Sequence, residues 1–230
     1  MSADSSWRLK EQVALNTSLD DETVLSLATD LKLEVRRAAA INARGRDRVV
    51  EVLSRSPYPE VRQFVAWHNS VSQLDRDVQT RLAADPEREV RQHIAETTQY
   101  RALFDQLLED SDPRVRGVCA GNPRATRSDI ERLLSDRSAT VRSMAVALGV
   151  VFPDDEQLLR MARDRSANTQ WALIMRVDAP REALEIVARE GDEMNRAQAQ
   201  ASLAGYSYSE QVAASQREER AAALLLGPFL

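Results

Sequence analysis

The chain has 230 residues, with 31 basic and 36 acidic side chains and a formal net charge of −5. Seven Gly and eight Pro exclude a collagen-like or low-complexity chain, and 43% hydrophobic residues suffice for an ordered core. One cysteine, Cys119, and two histidines exclude disulfide scaffolds and most Cys- or His-built metal sites, so no metal and no cofactor are expected. The opening MSADSSWRLKEQ lacks the apolar stretch of a signal peptide, and no run approaches the ~20 apolar residues of a membrane span. The expectation is a cytoplasmic protein without a membrane partner.

A repeat runs along the chain, and internal repeats decide fold class before any local propensity does. Its anchor is an apolar residue followed by Arg, with Asp five positions earlier. In chain order the anchors are Asp4…Leu9-Lys10, Asp30…Val35-Arg36, Ser56…Val61-Arg62, Asp85…Val90-Arg91, Asp110…Val115-Arg116, Asp136…Val141-Arg142, Asp164…Thr169-Gln170 and Asp192…Ala197-Gln198. Anchor positions 9, 35, 61, 90, 115, 141, 169 and 197 are 26, 26, 29, 25, 26, 28 and 28 residues apart.

Four positions after each anchor stand Val13, Ala39, Val65, Ile94, Cys119, Ala145, Leu173 and Ala201. The next column is Ala14, Ala40, Ala66, Ala95, Ala120, Val146, Ile174 and Ser202. Apolar residues at i, i+4 and i+5 mark one stripe of a short helix, and the alanines let a neighbouring helix approach. Asn16, Asn42 and Asn122 fall seven after the anchor, where a residue tolerant of left-handed backbone can end a helix, and Pro123 then blocks continuation. His68 shares that column, and His93 falls where other copies carry Ala38, Phe64, Val118 and Met144; both read as structural or partly exposed. Cys119 reads as an inert core thiol.

A second helix follows in each copy, with bodies such as Val24-Leu25-x-Leu27-Ala28, Val49-Val50-x-Val52-Leu53 and Ile130-x-x-Leu133-Leu134. Ser18-x-x-Asp21, Thr126-x-x-Asp129 and Ser207-x-x-Glu210 fit capping boxes, and Pro153 and Pro180 open first turns rich in acids. Nothing alternates with period two, so no strands are predicted. Units this small must stack to enclose a core. The predicted fold is all-α: an elongated, right-handed helical-repeat solenoid of about eight ~26-residue two-helix units. It should occupy residues 1–206, with 207–230 forming a closing helix and an apolar tail. The uncharged end, Ala221 to Leu230, is expected to cover the last repeat, the alternative being a docking segment for another chain.

The copy running from Asp110 to Leu134 has the pattern DPxVRxxxAxNPxT…LL, which resembles the leucine-rich repeat variant family within the broader HEAT-like helical repeats. The resemblance spans about residues 4–206. It implies an α-helix paired with a shorter 3₁₀ helix in each repeat. One member of that family carries an iron–sulfur cluster on N-terminal cysteines, which this chain lacks. In HEAT-like repeats the equivalent Asp and Arg form a ladder between repeats, and the resemblance implies the same role for Asp30, Asp85, Asp110 and Asp136 with Arg36, Arg62, Arg91, Arg116 and Arg142. A catalytic site repeated in every copy makes no chemical sense, so no catalytic residue is assigned. P-loop, GxGxxG, GxSxG and HExxH patterns are absent.

The expected function is a non-enzymatic scaffold binding a protein or peptide. The alternative is nucleic-acid binding, extending to DNA-glycosylase-like activity, since HEAT-like glycosylases pair aromatic residues with a carboxylate on a basic face. Trp67 and Trp171 could imitate the aromatics, but acids outnumber bases and no Asp-centred cluster stands near either. Taking 100° per residue, positions two and six after the anchor point away from the core columns. They supply two candidate partner-contact areas, Leu15–Ile41–Trp67 and Trp171–Met175. The competing reading, packing against the second helix of the same repeat, is the stronger from sequence alone because the sixth position lies in a short helix's last turn.

Overall fold

A computed structural model describes residues 3–68, 74–149 and 154–205. Each repeat contributes a leading helix that carries the anchor and a trailing helix that follows it. The leading helices are α1 (Ala3–Ala14), α3 (Leu33–Asn42), α5 (Pro59–His68), α7 (Arg88–Thr97), α9 (Pro113–Val118), α11 (Ala139–Leu148), α13 (Ala167–Ile174) and a helix over 193–205. The trailing helices are α2 (Asp21–Leu27), α4 (Asp47–Leu53), α6 (Arg76–Ala83), α8 (Arg101–Leu108), α10 (Arg127–Leu134), α12 (Asp155–Ala162) and α14 (Arg181–Glu190). No strand occurs among the described residues.

The chain divides into two compact units, one ending at Thr126 and one beginning at Arg127. In the first, α1, α3, α5, α7 and α9 pack in succession; trailing helices pack beside them, α2 on α4 and α6 on α8. In the second, α11 packs on α13, α10 on α12 and α12 on α14. Each is a stretch of all-α repeat solenoid. The expected closing helix and tail, 207–230, lie outside the described residues, as do Pro153 and Ser207.

The core is built from the columns legible in the sequence. Val35, Ala39 and Ala40, Val61, Val65 and Ala66, Val90, Ile94 and Ala95, and Val141, Ala145 and Val146 are all buried. Leu9 and Val13, in the same columns of the first copy, are exposed because no described helix precedes α1 to cover them. Leu103, Phe104, Leu107 and Leu108 of α8 show the trailing contribution: two apolar pairs one turn apart make a stripe wide enough to seal the layer. That stripe favours a full α-helix. The trailing segments are accordingly α-helical over seven to ten residues, where the family resemblance implied 3₁₀. The described 3₁₀ turn lies instead at the end of a leading helix, Cys119–Gly121, where Gly117 and Gly121 weaken helix continuation.

Two local expectations change. The N-cap of α2 is Asp20, not Ser18: its carboxylate accepts from the Thr23 N–H at 2.8 Å and the Thr23 hydroxyl at 3.0 Å. Asp154 caps α12 through a reciprocal box with Gln157, at 3.0 and 2.9 Å. The asparagine column does not terminate helices through left-handed backbone, since no described non-glycine residue has positive φ. It bridges repeats. Asn42 Nδ2 donates to the carbonyls of Ala14 and Asn16, and Asn122 Nδ2 to those of Ala95 and Thr98. Carbonyls at the end of one leading helix have lost their helical donors, and an amide from the next repeat replaces them.

Candidate functional site: ladder and outward row

Arg36, Arg62, Arg91 and Arg142 each perform two tasks with one guanidinium, and Arg116 shares the first of them. Nη1 donates backward to the carbonyl six residues earlier: Arg36 to Asp30, Arg62 to Ser56, Arg91 to Asp85, Arg116 to Asp110 and Arg142 to Asp136, at 2.7–2.8 Å. In the first four named, Nε and Nη2 reach forward to a carboxylate of the next repeat. Arg62 forks onto Asp85 at 2.6 and 2.9 Å, Arg91 onto Asp110 at 2.7 and 3.1 Å, and Arg142 onto Asp164 at 2.6 and 2.9 Å. Planar, bidentate pairing is what guanidinium offers and ammonium does not, which accounts for Arg in this column.

The acceptors vary with the copy. Arg36 has no Asp in the next repeat, where Ser56 stands, and binds Glu60 instead, with Nε at 2.9 Å. Asp30 pairs with Lys10 of the first copy at 2.7 Å. Arg116 belongs to the unit ending at Thr126, and Asp136 to the next. Asp30, Asp85, Asp110, Asp136 and Asp164 also accept the N–H two residues on, as Asp85 does from Glu87 and Asp110 from Asp112. Burial opposes ionisation of Asp110 and Asp164, but the guanidinium and the backbone N–H outweigh it, and both carboxyls lie below the ordinary carboxylate range. In the seventh copy Gln170 replaces the arginine. Its amide keeps the backward bond, donating to Asp164 O at 3.0 Å, and its oxygen reaches the next repeat by accepting from Asn195 Nδ2 at 3.3 Å.

A second set of ion pairs, which the sequence reading missed, links trailing helices. Arg46 meets Asp21 at 2.9 Å, Arg81 meets Glu51 at 3.2 Å, Arg160 meets Glu131 at 2.6 Å and Arg127 meets Asp154 at 2.9 Å. Their separation of 25 to 30 residues is the repeat length, a signal available only after the repeats are aligned.

The outward columns differ in character. Trp67 is 61% exposed, Trp171 36% and Met175 59%, and Leu15 and Ile41 are also exposed. Trp67 and Met175 thus present more than half of their surface to solvent. Trp67 stacks on His93 of the next leading helix, centroids 5.6 Å apart and planes within 11°. Phe64 tilts against Trp67 at 6.2 Å, and the Arg37 guanidinium lies 5.3 Å over Phe64. Burial lowers the His93 pKa against the pull of Glu96 and Glu89, so the imidazole in the stack is neutral at neutral pH. Cys119 is buried, its Sγ 3.5 Å from Val115 O. Among the described residues no group of His, Cys, Asp and Glu could hold a metal ion, and no helix is long and apolar enough to cross a membrane.

No family model matches the chain, and no curated protein does. Among solved structures, a leucine-rich repeat variant with a novel repetitive structural motif is 21% identical, covering 80% of this chain and 82% of that one at a TM-score of 0.46. An engineered protein is 17% identical, covering 88% and 90%, with a TM-score of 0.25. A designed armadillo repeat protein in complex with the peptide (KR)4 is 18% identical, covering 87% and 91%, with a TM-score of 0.24. The chain is thus similar to helical-repeat proteins, the leucine-rich repeat variant class among them.

Proposed function

We propose that the protein is a non-enzymatic repeat scaffold that binds a protein or peptide segment on the outward side of its leading helices. One contrast carries this reading. Arg62, Arg91 and Arg142 of the anchor column and Arg81 and Arg160 of the trailing helices are engaged by carboxylates of adjacent repeats, whereas the leading helices leave tryptophan, methionine, isoleucine and leucine in solvent. A phosphate backbone needs free cations, and an apolar partner needs desolvated aromatic and aliphatic anchors. The supply favours the second.

The test is selection of binders from a displayed random-peptide library, beside titration of a labelled DNA oligonucleotide at low and physiological salt. Enriched peptides that lose binding with Trp67→Ala or Trp171→Ala, and no salt-sensitive oligonucleotide binding, are expected. Oligonucleotide binding without peptide enrichment would overturn the reading.

A further inference from the structure

The eighth anchor sits two residues earlier than the sequence columns place it. Asn195 and Ala199 are fully buried, as Val141 and Ala145 are at the anchor and four after it, whereas Ala197 and Ala201 are exposed. Arg196 Nη1 donates to the Gly191 carbonyl five residues earlier at 3.0 Å, as Arg36 and Arg91 do to those of Leu31 and Pro86. Asn195-Arg196 is therefore the anchor pair, in place of Ala197-Gln198.

Arg196 makes the backward bond and no forward one. Among the described residues no carboxylate reaches its Nε or Nη2, and it is exposed where Arg36 and Arg116 are buried. Gln200, five after the anchor, is also exposed, although Ala40, Ala66, Ala95, Ala120, Val146 and Ile174 in that column are all buried. A column closed in six copies is open in the eighth.

Spacing says what would close it. The forward acceptors Asp110, Asp164, Asp85 and Glu60 stand 19, 22, 23 and 24 residues after their arginines. Counted from Arg196, that interval is 215–220, and its acids are Glu218 and Glu219. Glu219 also stands five before an apolar residue, Leu224, as Asp85 stands five before Val90. The third copy has the same register: Arg62 to Asp85 is 23 residues and Val61 to Val90 is 29, while Arg196 to Glu219 is 23 and Asn195 to Leu224 is 29. Leu225 follows where an arginine would carry the ladder further, and Gly227-Pro228 blocks a longer helix.

We propose that residues 219–226 are the leading segment of a ninth copy that docks on the helix over 193–205, with Leu224 in the anchor column and Glu219 taking the two forward bonds of Arg196. The closing role expected of 207–230 then rests on one rung. A planar guanidinium whose Nη1 is already fixed on Gly191 O holds Nε and Nη2 ready for a carboxylate. The thirteen residues 206–218 reach up to ~43–47 Å when extended, and Arg196 lies only ~14 Å back along the helix from Gly205, so the chain reaches its own arginine without a second copy. This goes beyond the scaffold reading and does not depend on it.

Charge exchange in the full chain tests the rung, read by hydrogen–deuterium exchange of the amides over 195–205. Arg196→Glu and Glu219→Arg should each speed exchange there about three- to ten-fold, and the double variant Arg196→Glu/Glu219→Arg should return it to within about two-fold of the parent. Leu224→Ser should speed it too, whereas Glu218→Arg and Trp171→Ala should leave it unchanged. Indifference to Glu219→Arg, or a double variant no better protected than either single one, overturns the proposal. So does rescue of Arg196→Glu by Glu218→Arg. Protection that rises with protein concentration alongside a dimer in sedimentation also overturns it, by assigning Glu219 to a second copy. None of these outcomes touches peptide selection, so the scaffold reading stands or falls separately.

Discussion

Arg62→Ala tests the ladder most directly. The Asp85 side chain is 4% exposed and takes both forward bonds from Arg62, so the variant leaves a desolvated carboxylate with the Glu87 N–H as its remaining donor. The Ser56 carbonyl also loses its guanidinium. Removing one partner of a buried charged pair costs about 3–5 kcal/mol, and the lower end applies because Arg62 keeps some solvent contact. With a urea m-value of ~1–3 kcal/mol/M, a loss of ~3 kcal/mol lowers the midpoint by ~1–3 M. Lys10→Ala is the internal control. It removes the first copy's counterpart from a side chain that is 53% exposed, where a pair contributes about 0–1 kcal/mol. The double variant Arg62→Ala/Asp85→Ala should be no less stable than Arg62→Ala alone, because it removes the orphaned charge. Urea unfolding by circular dichroism reads all three. A loss below ~1 kcal/mol for Arg62→Ala, matching Lys10→Ala, would refute the reasoning.

Gln170→Ala removes the bonds to Asp164 O and from Asn195 Nδ2 and should cost the second unit ~1–3 kcal/mol, read as a lower melting temperature; an unchanged one would count against Gln170 as a rung of the ladder. Asn42→Ala strands the Ala14 and Asn16 carbonyls and should cost ~1–3 kcal/mol in chemical denaturation; an unchanged midpoint would count against the bridge. Stability should also fall with acid in two stages. Asp110 and Asp164 hold their protons less readily folded than unfolded, so their contribution is complete above the ordinary value of 3.8 and is lost as pH drops through the folded values. His93, also lowered when folded, adds an earlier decline beginning below 6.5, which His93→Gln should abolish; urea midpoints from pH 7 to 3 measure both.

The sequence by itself determined the repeat, its length, the leading and trailing helices and the identity of the core columns. Each of these depends on residues within one copy: an apolar stripe at i, i+4 and i+5 folds and buries in the same way wherever the copy falls. What only the tertiary structure decided lies between copies. Nothing local to Arg36 says that Glu60 replaces the aspartate missing at Ser56, and nothing local to Asn42 says that its amide reaches the carbonyl of Ala14 rather than ending its own helix. The pairing of Arg81 with Glu51 and the stack of Trp67 on His93 arise in the same way, from residues roughly a repeat apart. The exposure of Trp67 and Met175 was equally undecided, because a side chain in the last turn of a short helix can pack on its own trailing helix or face solvent. The reach of a guanidinium or an indole is a few ångströms, and the stacking of one repeat on the next decides what lies within it.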